Sequence, residues 1–139
     1  MTTTTIATAV VRTRNGRIEK VDRRMLGRAG VVKLWPAGEQ LVVGEGLETV
    51  LAGATRLLHK GAPLRPAWAA LSAGRMRTLP PIPGVKRLII LVDHDHNGEG
   101  QAAARSCTDR WSRAGCRVIR LTPAKPGTDF NDLTMGTPA

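Results

Sequence analysis

The stretch RLIILVDHDHNGEGQAAA, residues 87–104, decides how the rest of the chain is read. Leu88, Ile89, Ile90, Leu91 and Val92 are apolar without alternation, the pattern of a strand buried on both faces of a parallel sheet. Asp93 and Asp95 follow at its carboxyl end, where open α/β sheets place their ligands. On extended backbone, residues two apart share one side, roughly 7 Å apart along the strand. Two carboxylates so placed can share a hard cation. His94 and His96 alternate with them and fall on the opposite side, which sets them apart from the same ion. An Asp at a strand end also commonly makes an Asx turn, and that alternative stands beside the metal reading. Asn97-Gly98 supplies a turn, and an Ala-rich helix is expected over residues 99–114, with Ala103, Cys107, Trp111 and Ala114 on its inner side.

Working outward, the same alternation of strand and helix recurs. Residues 41–43 read as a short buried strand, Gly44-Glu45-Gly46 as a tight turn, and residues 48–60 as a helix with Val50, Leu51, Ala54, Leu57 and Leu58 on one face. His59 and Lys60 suit the C-terminal dipole of that helix, and Gly61 stops it. Residues 67–71 read as a second core strand ending at Ser72-Ala73-Gly74. The proline-rich run 79–84 is a stiff connector. Residues 116–121 form a fourth core strand. The pattern predicts an α/β fold: a four-stranded, mostly parallel sheet flanked by helices, with right-handed crossovers. Residues 1–39 stand apart as a β-rich extension, with a hairpin turned at Asn15-Gly16 and a further strand over residues 31–35. The expected division is therefore a basic extension at 1–39 and an α/β domain at 40–139.

Composition narrows the class of partner. The chain has 139 residues, 42% of them hydrophobic, enough for one core. No apolar run is long enough to span a membrane, so no membrane partner is expected, and the N-terminus lacks the pattern of a signal peptide. Cys107 and Cys116 make neither a disulfide framework nor a zinc site and read as thiols in a reducing cytoplasm. The 21 basic residues, 16 of them Arg, outweigh 11 acids to give a net charge of +10. Arg pairs bidentately with phosphate, so the excess points to a polyanion such as nucleic acid; Arg-rich coding in a GC-rich genome is the alternative. Residues 1–35 hold eight cations against Glu19 and Asp22, a basic ribbon in which Arg12 and Arg14 are candidate nucleic-acid contacts, or an ordinary solvated hairpin.

Glu45 follows the first core strand and Asp93 and Asp95 the third, so one sheet edge collects three acids. Carboxylates without accompanying thiols suit Mg²⁺ or Mn²⁺, ions that leave sites for phosphate oxygens and neutralise charge in phosphoryl transfer. Glu45, between two glycines, is the candidate general acid or base. Gly46, Ser72 and Gly74 offer backbone or hydroxyl groups to a phosphate, or are simple turn residues. Lys125 lies past the fourth strand and is a candidate phosphate contact. Asp129 and Asp132 are possible accessory acids, with a helix cap as the alternative for Asp129.

These motifs resemble a known family. Gly44-Glu45-Gly46-Leu47-Glu48-Thr49 resembles the glutamate motif of Toprim domains, and Asp93-His94-Asp95, followed by Gly98 and Gln101-Ala102-Ala103, resembles their DxD motif. The EGxET form, Leu71-Ser72-Ala73-Gly74 and Asp129-Phe130-Asn131-Asp132-Leu133 look like the primase-like group of plasmid, phage and mobile-element proteins, often fused to helicases. The resemblance implies a Rossmann-like fold, Mg²⁺ on Asp93 and Asp95, and Glu45 as acid/base or further ligand. It implies nucleotidyl transfer on DNA, with nucleotides, single-stranded DNA and a helicase or larger primase assembly as partners. A metal-dependent nuclease and a non-catalytic nucleic-acid-binding module are the alternatives. Lacking tyrosine, the chain is no topoisomerase by itself. Asn97 stands where a third acid sometimes follows the DxD pair.

Overall fold

The structure, a computed structural model, describes residues 6–14, 17–26, 31–94, 97–124 and 130. In chain order its elements are β1 (Ile6–Arg14), β2 (Arg17–Leu26), β3 (Val32–Lys33), β4 (Gln40–Gly44), α1 (Leu47–Arg56), β5 (Leu58–His59), β6 (Ala62–Pro63), β7 (Ala67–Ala69), α2 (Ala73–Thr78), β8 (Arg87–Leu91), α3 (Glu99–Arg113) and β9 (Arg117–Leu121). The main sheet runs β3-β7-β4-β8-β9. The pairs β4–β7, β4–β8 and β8–β9 are parallel, and β3 is added antiparallel at the β7 edge. The expected four parallel strands are thus present, and the short strand anticipated near residues 31–35 becomes their fifth neighbour.

Strand alternation sorts the core into two layers. On one face Leu41, Val43, Leu88, Ile90 and Val92 pack with Trp68, α2 (Met76) and α3 (Ala103, Cys107, Trp111). On the other, Val42, Ile89 and Leu91 pack with Val50 and Ala54 of α1 and with Phe130. β7, β4 and β8 are the inner strands, which is why their residues are apolar on both sides. α1 can lie close to the sheet because its buried face is small: Ala52, Gly53 and Ala54. At Gly44 a Cβ would stand 2.8 Å from Val50 Cγ2, so this strand end also requires glycine for the helix to approach.

Two expectations need correction. The first helix ends at Arg56, not at residue 60, and the chain then makes the small antiparallel pair β5–β6 around Lys60 and Gly61. Leu58, expected on the buried face, is 69% exposed, and His59 is a strand residue rather than a helix-terminal cation. Pro63 and Pro66 favour extended backbone ahead of β7, so the reversal has to occur before them. Residues 73–78, where only a turn through Gly74 is expected, form α2, capped by Ser72. Six residues are too few for a periodic signal to emerge from sequence.

Cys107 is fully buried, and burial pushes its thiol up to about 11, with Arg110 pulling weakly the other way. The thiolate is the reactive form. In the folded chain, alkylation at pH 8 followed by peptide mapping is expected to label the half-buried Cys116 well before Cys107; equal rates would show that the α3 face is open.

Candidate metal centre

The carboxyl edge of the sheet is assembled by neighbouring strands. Gly44 is in register with Leu91 across the parallel β4–β8 pair, so Glu45 leaves β4 at the level of Val92, one residue before Asp93. Adjacent strands lie about 4.8 Å apart, and the two acids therefore emerge beside each other. Asp93 continues the Ile89–Leu91 row and belongs to the α1 side of the sheet.

Asp93 is held from three directions. Thr49 Oγ1 donates to Asp93 Oδ2 at 2.8 Å, the backbone N–H of Phe130 donates to Oδ1 at 3.2 Å, and Gln101 Nε2 donates to the Asp93 carbonyl at 3.2 Å. Thr49 is only 4% exposed, the sole polar side chain among the buried described residues. Phe130 is buried in the α1-side core, which holds its amide at this edge. A carboxylate has about four acceptor sites, so these two bonds orient it without exhausting it.

The surrounding turns are fixed through the backbone. Glu45, half-buried, accepts from the Leu71 N–H through its carbonyl at 2.8 Å. Leu71 has a φ of 76°, a left-handed conformation that costs a bulky residue of order 1 kcal/mol and is retained where the chain leaves β7 for α2. The Ser72 hydroxyl accepts from the Arg75 N–H at 3.1 Å, so it serves as the N-cap of α2, and Gly74 lies in that helix's first turn. Gly46 is the N-cap residue of α1. Asn97 Oδ1 accepts from the Glu99 N–H at 2.9 Å, and Gly98, at φ 74°, turns the chain into α3. Asn97 thus closes an Asx turn ahead of α3, whose N-cap is Gly98. His94 Nδ1 lies 3.1 Å from the Pro123 carbonyl, to which it donates.

Of the expected site residues, Glu45 and Asp93 leave neighbouring strands at one sheet edge, and Gly46 follows Glu45. Asp95, His96, Lys125, Asp129 and Asp132 lie outside the described residues, and of Arg12 and Arg14 only the backbone is described. Among the described residues no group of three or more His, Cys, Asp or Glu could hold an ion. The donors that Glu45 and Asp93 bring to this edge are carboxylate oxygens, chemistry that fits Mg²⁺ or Mn²⁺ rather than a soft metal. Thr49, Gln101 and the Phe130 amide were missed as parts of the site. Thr49 carried a signal, a hydroxyl on the inner face of an apolar helix; a backbone amide carries none.

The Toprim domain family matches residues 40–138. The chain belongs to the Toprim family. Neither the curated proteins nor the solved structures include a match. Toprim domains are metal-dependent nucleic-acid enzyme domains that typically bind divalent ions, usually Mg²⁺. In this Toprim domain Glu45 follows β4 and Asp93 lies just past β8, and Thr49 of α1 bonds the Asp93 carboxylate. Among the described residues no helix is long and apolar enough to cross a membrane.

Proposed function

We propose that this Toprim domain is of primase type, transferring nucleotidyl groups on DNA in the replication of a mobile element. The observation that carries the reading is the Asp93 carboxylate, oriented by Thr49 Oγ1 and the Phe130 amide beside Glu45 at the carboxyl edge. Asp93 and Asp95 would hold Mg²⁺ or Mn²⁺, with Glu45 as acid/base or further ligand. When bound, such an ion neutralises charge on the phosphoryl group being transferred. Glu45 would accept the proton of an attacking hydroxyl and return it to the leaving group. Thr49 keeps Asp93 in the one orientation that presents it to the edge.

The finer assignment rests on the EGxET, LSAG and DFNDL motifs. With it go nucleotides, single-stranded DNA and a helicase or larger primase assembly as partners, a cytoplasmic setting, and a division into a basic extension at 1–39 and a catalytic unit at 40–139. Gly46, Gly74 and Lys125 are the proposed phosphate contacts, and Asp129 and Asp132, which flank the anchored Phe130, the accessory acids. Ser72 stays in this set only if a ligand can draw its hydroxyl from the α2 cap.

Incubation with labelled single-stranded template, NTPs and Mg²⁺ tests the reading. Template-dependent primer synthesis is expected, and cleavage without NTPs would replace primase with nuclease. Thr49→Val keeps shape and removes the hydroxyl, and is expected to weaken Mg²⁺ binding roughly tenfold by calorimetry while Thr49→Ser restores it. Equal affinity in all three chains would show that Thr49 does not position Asp93 for an ion.

A further inference from the structure

The strands β1 and β2 form a two-stranded ribbon outside the main sheet, its second strand packing against α1. The register closes on Arg14↔Arg17, with Arg12↔Glu19 and Val11↔Lys20 next along the ladder. Residues 15 and 16 connect the strands. By alternation and this register, Arg12, Arg14, Arg17 and Glu19 share one face of the tip, and Val11, Thr13, Ile18 and Lys20 share the other. Two arginines are therefore directly opposite each other at the last ladder position, a third lies two residues along, and only one acid accompanies them.

Like charges directly opposite on a ribbon destabilise it. An isolated two-stranded ribbon is marginal in water to begin with. A sequence that places its like-charge pair at the closing position of such a ribbon gains nothing in the free chain; the pair becomes favourable when an anion lies against that face. The ribbon as a whole carries Arg12, Arg14, Arg17, Lys20, Arg23 and Arg24 against Glu19 and Asp22. An extended polyanion matches this better than a single phosphate does.

We propose that the juxtaposition of Arg12, Arg14 and Arg17 on one face of the ribbon tip makes it a clamp for the phosphate backbone of duplex DNA. The inference rests on the nucleic-acid reading of the Toprim domain and adds a duplex-binding element to it. A two-stranded ribbon is of a size that the major groove of B-DNA admits. Single strands are held by aromatic side chains on which bases stack, and β1 and β2 contain none. The face at the tip offers arginine for phosphate and no platform for a base. The ribbon would thus hold the paired region while chemistry proceeds at the carboxyl edge.

The test is fluorescence anisotropy of the full chain with a labelled 20-bp duplex of mixed sequence, titrated with KCl in the presence of EDTA. The doubly substituted chain Arg14→Gln/Arg17→Gln is expected to bind more weakly, with a slope of log K against log[salt] shallower by about 2. Its thermal midpoint is expected to hold or rise, because a repulsive pair has been removed, whereas Glu19→Gln is expected to tighten binding. An unchanged slope, or a fall in the midpoint in step with the loss of binding, overturns the proposal. So does a single strand of the same sequence that binds more tightly with the same dependence on Arg14 and Arg17. EDTA keeps the two readings separable: arginine-dependent duplex binding in a chain that then shows no Mg²⁺-dependent chemistry supports the clamp and sinks the catalytic reading.

Discussion

Replacing Asp93 with asparagine is expected to lower Mg²⁺-dependent turnover by about a thousandfold, equivalent to roughly 4 kcal/mol of transition-state stabilisation, and to leave the fold standing. The fold stands because the hydrogen bonds of this side chain can be kept. The amide oxygen of Asn can accept from the Phe130 N–H, and its NH₂ can donate to Thr49 Oγ1, whose hydroxyl reverses its role. Both contacts survive, the volume is unchanged, and what disappears is the negative charge and one face of oxygen ligands. The expected pattern is therefore loss of Mg²⁺ binding by calorimetry and of product formation, with a thermal midpoint shifted by less than about 4 °C. Asp93→Ala should lose the same activity and in addition leave the Thr49 hydroxyl and the Phe130 amide without this partner, at a cost of about 1–3 kcal/mol. An Asn variant that binds Mg²⁺ like the parent chain removes Asp93 from the centre.

The largest effect on stability is expected at Trp111. It is fully buried at the junction of α2 and α3, and its Nε1–H donates to the Leu79 carbonyl at 3.1 Å. Trp111→Ala removes the largest fully buried side chain and opens a cavity, which costs about 3–5 kcal/mol. It also leaves the Leu79 carbonyl without this donor, adding about 1 kcal/mol. Against a total stability on the order of 5–15 kcal/mol, that loss unfolds a large part of the population on modest warming. Thermal denaturation followed by circular dichroism should show a midpoint lowered by roughly 15 °C, with Trp111→Phe recovering much of it. A drop under about 5 °C would show that α2 and α3 contribute little to the core.

The parts of this architecture legible in sequence are those whose signal is local. The unbroken apolar run before Asp93 announced an inner strand, and the period of Ala103, Cys107 and Trp111 announced α3 and its buried face. Glu45 and Asp93 could be placed at one edge because strand ends in a parallel sheet share it. Features set by distant parts of the chain were not readable. The early end of α1 follows from the geometry of the hairpin and prolines beyond it, and α2 is too short to show a period. The bond between Thr49 and Asp93 spans 44 residues and exists only after α1 has docked on the sheet. Asn97, which stands where a third acid sometimes follows the DxD pair, accepts from the Glu99 N–H in a turn whose place depends on where α3 starts.

The burial of Phe130 has a consequence for how this molecule can be shortened. Its ring completes one face of the core, and its amide reaches the Asp93 carboxylate 37 residues earlier in the chain. The core and the carboxyl edge of the sheet are thus joined by a single residue well past β9. A chain trimmed just after β9 would keep every element of the sheet and yet lose a core side chain and an orienting contact in one cut. For expression, fusion or proteolytic mapping, the working end of the folding unit lies no earlier than residue 130, well past β9.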